Sequence, residues 1–323
     1  MSARKPIPYG RQYISNEDIQ AVTDVLRGDF LTQGPEIARL EQAFCQYTGA
    51  AYSVAVSNGT AALHLAALAL DVKPGSRYIT SPITFAASAN CVLYCGGEVW
   101  FADIDPESFT LSLEKTRALL ESKPKGFFSG IIPVDFAGFP VNLEAFRRLA
   151  DEFGCRIIED ACHAPGAQFL NSEDKWISAG DGKYADMAIF SFHPVKHIAA
   201  GEGGLVTTNN EALYKKLLLL RTHGITRDES LLVENHGGWY YEMHELGYNY
   251  RITDFQAALA HSQLKRANQG LARRREIAMR YHEALRSSGV QVPVVPDTVK
   301  HAWHLYVILS EQRKELYDYL RGK

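Results

Sequence analysis

AYSVAVSNGTAALHLAALAL (51–70) changes character at its middle. Residues 51–57 form a short, mostly apolar run of strand length. From Gly59 onward the chain is rich in Ala and Leu and carries no Asp, Glu, Lys or Arg for a dozen residues, which predicts a helix buried on every side. A strand that feeds directly into such a helix is the building unit of a sheet covered on both faces.

The same alternation continues outward from this stretch. RYITSP (77–82), EVWFADID (98–105), IIPVDFAG (131–138), RIIED (156–160), ADMAIFSF (185–192) and GGLVTT (203–208) are predicted strands. TFAASANCVLYCG (84–96), LSLEKTRALLESK (111–123) and LEAFRRLADEFG (143–154) are predicted helices, the last stopped by Gly154. The pattern is α/β, with a mostly parallel central sheet. Residues 254–289 read as one long helical run, kinked at Gly270, and WHLYVILS (303–310) as a strand of a new unit. Two domains are therefore expected: a large one over 1–253, and a bridging helix with a smaller α+β domain over 254–323.

Composition excludes several classes. The chain has 323 residues, 46% of them apolar, and a formal net charge of −3. That balance offers no general attraction to nucleic acid or to a membrane surface. The basic run LARRREIAMR (271–280) is read as a solvated helix face. Cys45, Cys91, Cys95, Cys155 and Cys162 contain no CxxC pair, so they are expected to be reduced thiols, with no metal site. MSARKPIPYGRQ lacks the apolar core of a signal peptide, and no apolar run reaches transmembrane length. The expected location is the cytoplasm.

Three segments carry candidate chemistry. Ser57-Asn58-Gly59-Thr60 lies at a strand-to-helix junction, where unpaired N–H groups and the helix dipole favour an anion such as phosphate. Such residues also serve as ordinary helix caps, so this segment alone decides nothing. Glu159-Asp160-Ala161-Cys162-His163 follows a strand at the position where α/β folds bind ligands; a carboxylate buried there needs a cationic partner, and a protonated pyridine nitrogen would be one. Ser191-Phe192-His193-Pro194-Val195-Lys196 precedes Gly201-Glu202-Gly203-Gly204. Pro194 forces a turn, and an apolar, glycine-bounded loop favours a neutral, nucleophilic lysine amine. Taken in order, the three supply a phosphate cradle, a ring-nitrogen carboxylate and an aldehyde-binding lysine, the set that pyridoxal phosphate (PLP) requires.

With these residues in place, the sequence resembles the DegT/StrS-type sugar aminotransferases of PLP fold type I. The resemblance runs from about Ile7 to the C-terminus. Its most specific stretches are DFLTQGP (29–35), SNGTAALHLA (57–66), SPITFAASANCVLYCG (81–96), IIEDACHAPGA (157–167), FSFHPVKHIAAGEGG (190–204) and GYNYRITDFQAAL (247–259). SPITFAASANCVLYCG and FSFHPVK are most similar to the branch that aminates a UDP-linked 4-keto sugar on the route to pseudaminic acid. The resemblance implies that Lys196 links to the cofactor, Asp160 pairs with its ring nitrogen, and His163 lies near the ring. It implies phosphate contacts from Gly59, Thr60 and Ser191, and ring stacking by Phe85. Asn249 and Arg251 are implied to reach the cofactor phosphate in a neighbouring subunit, which requires a homodimer. Tyr9 and Asp29, Phe30, Leu31 and Thr32 match positions that contact the nucleotide-sugar, with Gly59, Ser191 and Asn249 nearby. L-glutamate is the implied amino donor. The apolar helices near 60–70 and 84–95 are expected to be covered by that dimer.

Two departures stand out. His197 follows the lysine where relatives carry an apolar residue or Asn. Relatives also continue through a further small-domain motif, so the small domain here is expected to be truncated. Lys196 argues against the dehydratase branch, in which a histidine replaces it, and the intact set of lysine, aspartate and phosphate residues argues against a non-catalytic homologue.

Overall fold

The computed structural model describes residues 10–323. Helices α1 (Asn16–Arg27) and α2 (Pro35–Thr48) precede β1 (Tyr52–Val56), α3 (Gly59–Ala69), β2 (Arg77–Thr80), α4 (Ala87–Tyr94), β3 (Glu98–Phe101) and α5 (Leu113–Glu121). Then come β4 (Gly130–Ile132), α6 (Leu143–Phe153), β5 (Arg156–Asp160), β6 (Gln168–Leu170), β7 (Trp176–Ser178), β8 (Met187–Ser191), β9 (Gly204–Thr208) and α7 (Glu211–Arg221). The last elements are β10 (Ile225–Thr226), β11 (Glu242–Met243), α8 (Asp254–Lys265), α9 (Ala267–Leu285), β12 (Val299–Lys300) and α10 (Arg313–Arg321).

Seven strands form the central sheet in the order β1-β9-β8-β5-β4-β2-β3. Only β9 runs antiparallel to its neighbours. The strands look continuously apolar because both faces are buried. Val54 and Val56 join one core with Leu63, Ile158 and Ile189. Ala55 faces the opposite way, into a core with Phe44, Phe190, Phe192 and Ala257. This is the two-residue alternation of a pleated strand with no solvent side. A second small sheet, β12-β6-β7, comes from runs of two or three residues, too short to carry a period.

Several sequence expectations are corrected. The 131–138 strand ends at Ile132, because Pro133 has no N–H for the ladder, and Phe136–Gly138 form a 3-10 turn with Ala137 at φ 59°. The long helix breaks at Arg266 (φ −110°, ψ 9°), while Gly270 lies inside α9. The Arg266 side chain is drawn away to Asp18 and to the Tyr13 carbonyl. Residues 303–310 make no strand: Trp303 has φ 51°, and its carbonyl is taken by Arg274 (3.1 Å). Only Leu309 bridges to Gln291. The 271–280 run is not wholly a solvated face either, since Arg274 and Arg275 turn inward onto the 301–304 carbonyls. Finally, α3 is covered within its own chain, and the exposed apolar groups of the 84–95 helix are Phe85, Leu93 and Tyr94.

Asp18 locks α1 to α8. Its fully buried carboxylate accepts from Ser15 N–H (2.9 Å), Ser262 Oγ–H (2.7 Å) and Gln263 Nε2–H (2.8 Å), and it pairs with Arg266. Burial alone would raise its pKa. The N–H of Ser15, the Ser262 hydroxyl and Arg266 outweigh burial and hold the carboxyl below its ordinary value. Asp18→Ala is expected to destabilise the fold by about 2–4 kcal/mol, because it leaves the Ser262 and Gln263 donors without their acceptor and the part-buried Arg266 without its ion pair. A denaturant midpoint near the parent's would refute this. In the parent, the Asp18 contribution is present at neutral pH and fades as pH falls through the carboxylate range.

Candidate active site

Sheet register assembles the site. Val56 lies opposite Gly204, and Gly204 opposite Ser191. The ends of β1 and β8 therefore meet at one sheet edge, with the start of β9 between them. Glycine is required twice here. A Cβ on Gly59 would sit 2.9 Å from Ser191 Cβ, and one on Gly204 would sit 2.5 Å from the Asn58 carbonyl oxygen. The Asn58 side chain accepts from Ala61 N–H (2.8 Å) and its carbonyl from Ala62 N–H (3.1 Å). That leaves the N–H groups of Gly59 and Thr60, at the open end of α3, for a ligand. Beside them opens a cavity of about 780 Å³, whose wall also includes Phe85, Asp160, His163, Ser191 and Lys196. The donors fit a phosphate at a helix start.

Asp160 ends β5 and is 5% exposed. Its Oδ2 accepts from Ser88 Oγ–H (2.6 Å), and Ser88 in turn contacts Thr84 Oγ1 (2.7 Å). Its Oδ1 accepts from Cys162 N–H (3.2 Å). Among the described residues Asp160 has no ion-pair partner. A buried carboxylate oriented by neutral donors on a cavity wall suits a cationic ligand atom. Ser88 escaped the sequence reading. Its signal was a lone serine on the small-residue side of α4.

His163 is held from two sides. Ala137 N–H donates to its Nδ1 (3.3 Å), which puts the ring proton on Nε2. The Ala137 turn is built by Asp135, which accepts from Val141 N–H through Oδ1 (2.9 Å) and donates its own N–H to the Asp160 carbonyl (3.1 Å). Burial pushes the Asp135 carboxyl up to about 7. On the other side, His304 stacks on His163 at 4.2 Å between ring centroids, and His197 lies 5.6 Å from His304. Burial, then the Lys196 charge, pushes the His163 pKa down to about 4. His197 and His304 are also held well below the ordinary histidine value, chiefly by burial. These rings form a neutral wall behind the lysine. His197, which departs from the family pattern, belongs to it.

Lys196 lies in the tight turn after β8, with its N–H donated to the His193 carbonyl (2.8 Å). Thus Gly59, Thr60, Phe85, Asp160, His163, Ser191 and Lys196 converge on one cavity. Asn249 and Arg251 lie outside it in the single chain, because a bridge from Asn249 to Thr222 holds that segment against the end of α7. Asp29 and Phe30 line a separate cleft beside α1, α2 and α8. Leu31 and Thr32 are pinned there through Asp254 N–H to the Leu31 carbonyl (2.9 Å) and a bridge from Thr32 to Thr253. Tyr9 lies outside the described residues. His64, whose Nδ1 is 3.1 Å from the Tyr250 hydroxyl, joins the cavity wall unforeseen. Among the described residues no helix is long and apolar enough to cross a membrane, and no group of three or more potential ligands could hold a metal ion.

Comparison with known proteins is consistent with this geometry. A model of the DegT/DnrJ/EryC1/StrS aminotransferase family matches residues 12–323. Spore coat polysaccharide biosynthesis protein SpsC of Bacillus subtilis is 37% identical over 309 residues, covering 95% of this chain and 77% of SpsC. The Helicobacter pylori aminotransferase PseC, involved in the biosynthesis of pseudoaminic acid, superposes with a TM-score of 0.85 at 29% identity, over 98% of this chain and 81% of its own. The PLP form of the putative sugar aminotransferase Spr1654 from Streptococcus pneumoniae gives 0.86 at 27% identity, over 98% and 83%.

Two outcomes are expected from the histidine wall. Replacing His304 with Ala should admit water to His163 and raise its pKa by about one unit or more; an imidazole NMR titration that still centres near 4 would exclude the stack as the cause. In the parent, His163 holds a proton in the unfolded chain but not in the fold between the ordinary histidine value and about 4. Each suppressed histidine therefore lowers stability as pH drops through that window, by up to about 1.4 kcal/mol per pH unit, while the buried Asp135 and Glu159 carboxyls, raised by burial, act the opposite way; the histidine share is the slope that differs between the parent and His304→Ala. Denaturant midpoints across the window measure it.

Proposed function

The chain belongs to the DegT/DnrJ/EryC1/StrS aminotransferase family, and from that premise we propose that it transfers an amino group from L-glutamate to C4 of a UDP-linked 4-keto-6-deoxy-N-acetylhexosamine, on the route to pseudaminic acid. It is an aminotransferase of the fold type I class and uses PLP. The observation that carries the reading is the convergence of Lys196, Asp160 and the Gly59–Thr60 cradle on one cavity. The likeness to PseC supports the choice of sugar, as do the stretches 81–96 and 190–196.

PLP, when bound, supplies an aldehyde that links to amines and a ring that accepts the electrons of a carbanion. The residues divide the remaining work. The Gly59 and Thr60 N–H groups and the Ser191 hydroxyl would hold the phosphate, Asp160 would keep the ring nitrogen protonated, and Phe85 would lie against the ring. His163 would offer its Nε2–H to the ring edge while staying neutral. The Lys196 amine would anchor the cofactor, take the α-proton of glutamate, and return it on the other side of the transfer. Asp29, Phe30, Leu31, Thr32 and Tyr9 would contact the nucleotide-sugar. Asn249 and Arg251 would complete the phosphate site of a second copy in a homodimer, where the exposed Phe85, Leu93 and Tyr94 would find cover.

One observation favours a second reading within the same family. Identity to SpsC, at 37%, exceeds that to PseC, at 29%. Another nucleotide-sugar, aminated at C3 or C4, would use the same residues. The deciding experiment incubates PLP-loaded protein with glutamate and a panel of UDP- and dTDP-linked keto-sugars, and reads the products by mass and NMR. Amination of the UDP-linked 4-keto sugar at C4 supports the first reading. Exclusive amination of another sugar overturns it.

Lys196→Ala is expected to lose at least about a hundredfold in turnover and to take up no label on borohydride reduction. Parental turnover in that variant would remove Lys196 from the mechanism. Asp160→Asn should slow the reaction strongly while the denaturant midpoint stays close to the parent's.

A further inference from the structure

Away from the Lys196 cavity, one cleft gathers cations without carboxylates. Between α2, the α8–α9 junction and the β12-β6-β7 sheet lies a cavity of about 710 Å³. Its wall holds Lys265, Arg275, Lys300 and His261, with Tyr47 and Asn268, and no Asp or Glu. Among the described residues none of the three permanent cations is in an ion pair, in a chain with 37 acidic residues. The contrast with the adjoining cleft is sharp: His261 and Lys265 border that one too, and there they face Glu17, Asp24 and Glu36.

Two donors beside the cleft have hydrogen bonds left unmade. Among the described residues the Tyr47 hydroxyl is buried with no hydrogen-bond partner, although such a group left unmade costs about 1–3 kcal/mol. It sits so close over Gly166 that a Cβ there would be 2.6 Å from the oxygen. Arg275 spends only its Nε–H, on the His301 carbonyl (3.3 Å). Its charge acts on the Tyr47 phenol, opposing the burial that pushes that group up to about 12. Lys300 is held in place by Gln168 Oε1 (3.0 Å) and the Trp176 ring (3.8 Å). Both phenol and guanidinium can donate, and what the cleft lacks among the described residues is a negative charge.

We propose that this cleft is a second anion site, separate from the Lys196 cavity, that binds a diphosphate-bearing small molecule between Tyr47, Arg275, Lys265 and Lys300. Spaced cations on two sides suit adjacent negative charges better than a single carboxylate, and a guanidinium with free N–H pairs suits phosphate oxygens. The diphosphate could be free or part of a nucleotide.

Calorimetry on the PLP-loaded protein at fixed ionic strength tests this, with pyrophosphate and UDP as probes. Pyrophosphate is expected to bind with Tyr47→Phe about tenfold weaker, Arg275→Gln weaker still, and Lys196→Ala unchanged. Lys265→Gln, on the rim, gives a further readout if Arg275→Gln fails to fold. UDP binding more tightly than pyrophosphate, with the same sensitivity to Tyr47→Phe, assigns the site to a nucleotide; equal affinity assigns it to free diphosphate. No binding at millimolar pyrophosphate overturns the proposal. So does binding that Tyr47→Phe and Lys265→Gln leave intact, or binding that Lys196→Ala abolishes.

Discussion

A carboxylate buried at the end of a central strand organises the candidate site. Asp160 sits where β5 gives out, oriented by a serine hydroxyl and a backbone N–H and matched by no cation among the described residues. Such a group is costly in a low-dielectric wall unless a positive partner arrives. The neighbouring elements are placed consistently with that requirement. The start of α3 offers donors for an anion on one side, the turn after β8 presents Lys196 on another, and neutral histidines close the back.

The antiparallel strand β9 is what brings the pieces within reach. It lies between β1 and β8, so that Val56, Gly204 and Ser191 stand side by side. The start of α3 and the lysine turn therefore share one sheet edge, though well over a hundred residues separate them in sequence. The price is two glycines: a methyl group at 59 or 204 would collide with the opposing chain.

The histidine wall couples the large unit to the chain that follows. His304 reaches His163 from the segment after α9, and Arg274 anchors that segment by its carbonyls. Burial keeps these rings uncharged, so the wall beside Lys196 adds no fixed charge to the cavity. On the outer side of the same junction the opposite holds. Cations collect without carboxylates around Tyr47, and an external anion would balance them.

Most strand and helix runs of residues 50–208 were legible because fully buried elements write continuous apolar stretches bounded by Gly, Pro and Asn, and Lys196, Asp160 and Gly59 were legible because each lies at or just past the end of such a stretch; the half-exposed α7 was not read. The three-residue strands β6 and β7 left no period to read. The break at Arg266 was set by a distant partner, Asp18, and Gly270 misled because a glycine inside a helix is permissive rather than obligatory. Ser88 and His304 carried no local mark, since their roles come from contacts across 72 residues for Ser88 and Asp160, and across the α9 junction for His304. Sequence by itself determined the alternation of elements and the residues at their ends, because burial and backbone chemistry are local. Which of those ends meet, which rings stack behind them and which cations stay unpaired were decided only in the tertiary structure, because hydrogen bonds and ion pairs form between neighbours in space.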